Sequence, residues 1–245
     1  KAYMKLERFF LTSDLIEKVT KSVQSMSCYS PRDSFILAAK YTCMALGIGV
    51  AFVIGAVILF DDIISMLLCS AFGFAFASSM VDKQIDKINI KVYNQLRGAI
   101  SSIREEYLRT NSIPEAIENA EFGKELKPSF DSIYNILTQS NGEAKLAEFF
   151  ERTPFRHIQT LARVCYDINN SGDEVDANGN SNFLTAMNSM STDINNELSR
   201  MKYQKMRFGK LEYLSLIPVV GIKLIESFFV GIMPGTAVIY DGSTG

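Results

Sequence analysis

The chain has 245 residues, a hydrophobic fraction of 47% and a formal net charge of −2 at pH 7. That length allows one or two domains, and so small a net charge excludes the global basic field of a nucleic-acid binder. Charge is segregated: apolar blocks are nearly bare, whereas Asp82 to Lys210 is strongly charged, as in a membrane protein with one water-facing domain.

The first residue is Lys1, so the chain is expected to be a fragment or a processed product. The first thirty residues hold no uninterrupted apolar region, and no secretory signal is expected. Cys28, Cys43, Cys69 and Cys165 show no C-x-x-C spacing and read as single thiols.

Residues 1–36 place Leu6, Phe9, Phe10, Leu15, Ile16, Val19 and Val23 among charges, which predicts one or two short amphipathic helices. They would lie on a membrane surface or pack on the water-facing domain. Residues 37–81 hold two uncharged apolar runs, Tyr41 to Phe60 and Ile63 to Val81, separated by Asp61 and Asp62. A run of about twenty apolar residues crosses a ~30 Å hydrocarbon core as a helix. The pair predicts a transmembrane helical hairpin. Gly47, Ala51 and Gly55 on the first run, and Ser65, Cys69, Gly73 and Ala77 on the second, recur every four residues. Small residues in line let helix backbones approach in lipid, so these are the expected facing seams. Arg32 and Lys40 precede the hairpin and Lys83, Lys87 and Lys91 follow it, while the turn has no Lys or Arg. Both outer ends are therefore expected in the cytoplasm.

Residues 82–210 keep helical periodicity almost throughout and predict about six helices. Ile85, Ile88, Val92, Leu96, Ile103 and Tyr107 mark the face of a long first helix. Ser112-Ile113-Pro114-Glu115 has the form of a capping box, and Gly123 is the expected end of the short second helix. Pro128 opens a third with Phe130, Ile133, Tyr134 and Leu137, which Asn141-Gly142 breaks. Leu146, Phe149 and Phe150 mark a fourth. Thr153-Pro154 is the expected start of a fifth with Phe155, Ile158, Leu161, Cys165 and Ile168. A polar loop from Asn169 to Asn182 precedes a sixth carrying Phe183, Met187, Met190, Ile194, Leu198 and Met201. No segment alternates with period two, so the fold class is all-α.

Residues 211–234 form a third apolar segment, expected to span the membrane, with Lys202, Lys205, Arg207 and Lys210 on its cytoplasmic side. These cations would set topology, and could also meet anionic lipid heads. Lys223 and Glu226, spaced i, i+3, can meet on one helix face as an intramembrane charged pair. That pair either fixes packing or lines a path for ions or solute. Residues 235–245 form an expected extracytoplasmic tail.

Chemistry-bearing motifs are sparse. There is no G-x-x-x-x-G-K-[ST] loop and no strand before a glycine-rich turn, so no nucleotide site and no cofactor are expected. His157 is the single histidine and reads as a packing residue. Glu174, Asp176 and Asn178 before Gly179 alternate oxygen ligands as a calcium loop does. Glu instead of Asp stands first and Thr185 stands twelfth, so an ordinary solvated turn fits better. No catalytic constellation emerges, and an enzyme is not expected.

The order of these segments resembles the type II secretion system F domain family over roughly Asn89 to Met233. Leu108-Arg109-Thr110-Asn111-Ser112-Ile113-Pro114-Glu115-Ala116-Ile117 is similar to the family's hairpin opening, with Asn111 where the family prefers a turn glycine. Asn also tolerates the left-handed conformation. Gly142, Leu146, Ala147 and Phe150 match the next turn and helix. Ser171-Gly172 match a later turn, in which Ile168 and Asn169 replace Gly-Glu. One such domain between spans resembles the TadB/TadC branch of inner-membrane platform proteins, which serve tight-adherence, type IV-like pili. Members usually end with a fourth span, so truncation before it is expected.

The resemblance implies a multi-pass protein of the bacterial cytoplasmic membrane with its soluble domain in the cytoplasm. The implied partners are a hexameric secretion ATPase, pilin subunits, and a second platform protein or a second copy of this chain. In such a platform, ATP-driven motion is passed to the membrane helices for pilin extraction and filament growth, with no catalytic site in the platform itself. The alternative is a subunit of an oligomeric transporter or channel that uses Lys223 and Glu226.

Overall fold

The computed structural model describes residues 10–25, 31–59, 63–175 and 179–209. The described residues are all-helical apart from one isolated bridge between Val175 and Ser181. The helices are α1 (Phe10–Ser25), α2 (Pro31–Leu59), α3 (Ile63–Thr110), α4 (Ile113–Asn119), α5 (Lys127–Thr138), α6 (Gly142–Arg152), α7 (Arg156–Ser171) and α8 (Asn182–Gly209). The Asp61-Asp62 break, the third apolar segment at 211–234 and the tail at 235–245 lie outside the described residues.

One helix among the described residues is long and apolar enough to cross a membrane, over Ser34–Ile58. Only 22% of its most apolar window is buried, whereas a core helix of a water-soluble protein would be mostly enclosed. Ile36, Met44, Val50, Ile54, Val57 and Ile58 are all exposed along it.

The chain divides into two compact units, one of residues 1–46 and 78–201, the other of 47–77 and 202–245. In the second unit α2 faces the start of α3. Gly49 lies against the Phe74 ring, a Cβ placed on Gly73 would collide with Phe52, and the Phe52 and Phe76 rings sit 5.8 Å apart. Gly73 and Ala77 thus lie on the buried face expected of them, but the other half of the expected seam is corrected. Gly47 and Gly55 have open space around them and Ala51 is exposed. On α2 the buried face of this unit carries Gly49 and Ala56 instead. Glycine spacing alone did not reveal the face, because the bulky Phe52 and Phe74 determine where a bare backbone is needed.

In the first unit the core is built from Leu96, Ile100 and Ile103 of α3, Ile117 of α4, Phe130 and Ile133 of α5, Leu146 of α6, Ile158 and Leu161 of α7, and Phe183 and Met187 of α8, each essentially inaccessible. Burying each such side chain stabilises by roughly 1.5–3 kcal/mol. Helix α5 is the hub of the small helices, touching α4, α6 and α7. Helix α1 buries Ile16 and Val19, and its Lys18 pairs with Asp82 of α3 at 2.7 Å. Both partners are about half exposed, so this ion pair contributes at most about 1 kcal/mol.

Several expected helix boundaries are corrected. The Ser112 side chain makes no capping bond, so the capping box does not form; the Ser112 amide instead lies 3.4 Å from the Thr110 hydroxyl. Helix α4 ends at Asn119, where the Ala120 amide closes on the Ala116 carbonyl, and not at Gly123. Gly123 instead lies against the end of the flexible Gln95 side chain, which a Cβ there would meet at 2.5 Å. Helix α5 ends at Thr138, and Gly142 opens α6 instead of ending α5. Thr153 closes α6, Phe155 stands at the start of α7, and Pro154 precedes that helix. Helix α7 runs on to Ser171, so Asn169 is helical and the loop begins at Gly172, whose φ of 83° favours glycine. Asn111 adopts the left-handed backbone expected of it, with φ 53°.

Two glycines give opposite expectations. A Cβ on Gly142 would meet the Tyr166 ring at 2.6 Å and the Ile136 carbonyl oxygen at 2.8 Å, so Gly142→Ala should lower stability by about 1–3 kcal/mol. Gly98 is exposed within α3 with nothing near its Cβ position, so Gly98→Ala should raise stability by about 0.5–1 kcal/mol. Thermal unfolding of the two variants in detergent checks both signs. Ser112→Ala, lacking a cap to lose, should stay within about 0.5 kcal/mol of the parent in the same assay; a loss of about 1 kcal/mol or more would restore the capping box.

Candidate functional site

The candidate site is the polar anchorage of α8, the long helix that precedes the third apolar segment in sequence. Helix α8 is 28 residues long, roughly 42 Å at 1.5 Å per residue. Its N-terminus leaves backbone amides that need acceptors. Asp173 and Ser181 supply them. The Phe183 amide donates to Asp173 Oδ1 at 3.0 Å, and the Leu184 amide donates to Ser181 Oγ at 3.0 Å. Ser181 Oγ in turn donates to Asp173 Oδ2, which also accepts from Tyr107 Oη of α3 at 2.7 Å. The loop is closed at its base by the Asn182 amide bonding to the Glu174 carbonyl at 3.0 Å.

This one carboxylate therefore ties the start of α8 to the end of α3. The Tyr107 and Phe183 rings pack beside it with centroids 4.4 Å apart. Two further links continue the pairing. Arg104 donates to Asn188 Oδ1 at 2.9 Å, and Arg97 reaches Asn195 Oδ1 at 3.4 Å. Each step of seven residues back along α3 matches seven forward along α8, the register of an antiparallel helix pair. Alongside the links the buried residues Ile103, Ile100 and Leu96 of α3 and Met187, Met190 and Ile194 of α8 supply the apolar part.

The electrostatics follow from these bonds. Burial alone would raise the Asp173 carboxyl. The bonds from Ser181 and Tyr107 and the amides of Phe183 and Asn182 outweigh it and hold the group below the ordinary carboxylate range. Burial, reinforced by the adjacent Asp173 carboxylate, pushes the Tyr107 hydroxyl up to about 12. Tyr107 is therefore a permanent donor at physiological pH.

The residues singled out from the sequence fall elsewhere. Lys223 and Glu226 lie outside the described residues, as do Asp176 and Asn178. The Glu174 side chain is exposed, and its carbonyl is committed to the loop closure. Among the described residues no group of three or more His, Cys, Asp and Glu side chains could hold a metal. His157 is half-buried and packs edge-on against Tyr93 and Phe155, at 5.5 and 5.7 Å between centroids. Burial holds its imidazole below the usual histidine range, against the pull of Asp193 and Glu197. Cys165 is fully enclosed, and burial pushes its thiol up to about 12, which makes it unreactive. Asp173 was missed in the sequence. The signal was present as Asp-x7-Ser-x-Phe ahead of an apolar-periodic helix, but the long interval hid a cap built from both ends of a loop.

No family model, curated protein or solved structure matches this chain.

Removing the carboxylate tests the anchorage. Asp173→Ala should destabilise by about 1–3 kcal/mol, since it strands the Tyr107 hydroxyl and a helix amide. Because the folded carboxyl lies below its unfolded value of 3.8, the stabilisation is complete above that value. It is lost as pH falls through the lower folded value. The stability gap between parent and Asp173→Ala, measured by denaturant unfolding, should therefore be constant from pH 7 to about pH 5 and narrow below that.

Proposed function

We propose that this chain is an inner-membrane platform protein for assembly of a type IV-like, tight-adherence pilus or for type II secretion. The observation that carries the membrane part is the Ser34–Ile58 helix, long, strongly apolar and mostly uncovered. In this reading α2 and the start of α3 form a transmembrane hairpin. The helices between 82 and 209 form a cytoplasmic antiparallel bundle, and residues 211–234 supply a third span. Basic residues outside the apolar runs, at Arg32, Lys40, Lys83 and Lys87, favour a cytoplasmic bundle.

Support for the platform assignment comes from the order of its motifs. A left-handed Asn111 stands between α3 and α4 where the resembling family prefers glycine, and Gly142 takes its place at the following turn. The partners are a hexameric secretion ATPase, pilins, and a second platform protein or another copy of the chain. The platform has no catalytic step of its own. A displacement imposed on the bundle is carried by α8, whose start is held by Asp173 and whose end leads in sequence into the third span.

Two experiments test this. Expressed with the neighbouring genes, the intact chain should copurify from membranes with a secretion ATPase and pilin. Capture of neither, together with solute flux by the purified chain alone in liposomes, would transfer the assignment to a transporter subunit. A flexible Gly-Ser insertion after Gly209 should abolish filament assembly while leaving membrane insertion intact. Filaments at parental levels would remove α8 as the mechanical link.

A further inference from the structure

Helix α8 outruns its own packing. Leu198 is its last buried residue among the described side chains, and Lys202, Tyr203, Gln204, Lys205 and Met206 are exposed one after another. Five successive residues make more than a full turn, so no side of the helix is covered there. Tyr203 is 61% and Met206 66% exposed. The division of the chain falls at the same point: residues from 202 onward belong with 47–77 and not with the bundle. That second unit carries most of the large exposed apolar side chains among the described residues, including Val50, Ile54, Val57, Ile63, Leu67 and Phe74.

The side chains of this stretch are sorted around the helix axis. At about 100° per residue, Lys205 lies about 60° to one side of Lys202, and Met206 and Tyr203 lie about 40° and about 100° to the other. Two cations and two apolar side chains therefore share one continuous face, while Gln204 takes the far side. Neither lysine pairs with a carboxylate among the described residues, whereas the preceding cation, Arg200, is committed to Glu197 at 2.6 Å. No Asp or Glu stands between Glu197 and Glu212, so the charge of the stretch is uniformly positive.

We infer that the end of α8 docks on an anionic lipid surface, with Lys202 and Lys205 at the headgroup phosphates and Met206 and Tyr203 on the acyl-chain side. A bilayer boundary sets apolar and anionic layers next to each other, and this face presents the complementary chemistries in the same order. Lysine stems lie along apolar surface while their ammonium groups reach the polar layer. Tyrosine settles at headgroup level, and a basic residue this close to an anionic leaflet is drawn to it within a Debye length. The inference rests on the membrane part of the proposed function and adds the lipid class and the residues that select it.

The chain contains no tryptophan, so Tyr203→Trp introduces a single fluorescent reporter at an exposed position. The full chain carrying it is reconstituted into phosphatidylcholine vesicles that hold equal amounts of phosphatidylglycerol, with bromine near the ester carbons of one lipid or of the other. Brominated phosphatidylglycerol should quench the tryptophan at least twofold more strongly than brominated phosphatidylcholine. Adding Lys202→Gln and Lys205→Gln should bring the two lipids to equal quenching while the chain stays in the vesicles through an alkaline wash. Equal quenching in the lysine-containing chain, a preference that survives both lysine changes, or quenching by aqueous acrylamide and by neither lipid would overturn the inference. The last result would turn this face toward a protein partner. Release of the lysine-containing chain by the alkaline wash would overturn the membrane reading as well, whereas retention with equal quenching would overturn this inference alone.

Discussion

An uncovered apolar helix has to be surrounded by something other than water. Six large apolar side chains lie exposed along α2. Hydrating that surface instead of burying it would cost on the order of 10 kcal/mol, comparable to the whole stability of an ordinary domain. Either protein or acyl chains must cover it. Within the second unit the contacts that do form, Gly49 with Phe74 and Gly73 with Phe52, occupy one stripe and leave the rest of the helix bare. In lipid that is the expected division, since close backbone approach is the main contribution helices make to each other there.

The first unit is held together differently. Its helices bury apolar faces against each other, and their polar atoms have to be matched. Asp173 is the clearest case, because four groups converge on a carboxylate that would otherwise be costly to enclose. The Lys91, Gln95 and Glu125 cluster does the same on the other side of α3: both side chains donate to Glu125, at 2.5 and 2.6 Å. Gly123 leaves the space that Gln95 fills. Polar matching of this kind contributes register. The apolar seam between α3 and α8 would tolerate a slip of a turn, whereas Arg104–Asn188 and Arg97–Asn195 each form in one register only.

Much of this was legible in the residue pattern. Every apolar position read on α7 from Ile158 to Cys165, and on α8 from Phe183 to Leu198, is buried, because a helix of period 3.6 has only one way to turn its apolar stripe inward. The left-handed turn at Asn111 was legible for the same local reason, since few residues accept that backbone. Caps were much less so. Ser112, Gly123, Thr153 and Pro154 all have the right chemistry for boundaries, yet Ser112 stands at the start of α4 without making the capping bond and the other three sit one to several residues from the role their type suggests. Two of these positions meet a group from another helix, the Gln95 side chain beside Gly123 and the Gln159 amide that bonds to the Thr153 carbonyl.

Helical class, the apolar identity of α2 and the inward faces of α7 and α8 were thus readable from residue order, because periodicity and hydrophobicity are local properties. The Asp173 cap and the phenylalanine-lined seam of α2 were decided only by assembly. Each depends on side chains distant in the chain, and no spacing rule says which distant groups will meet.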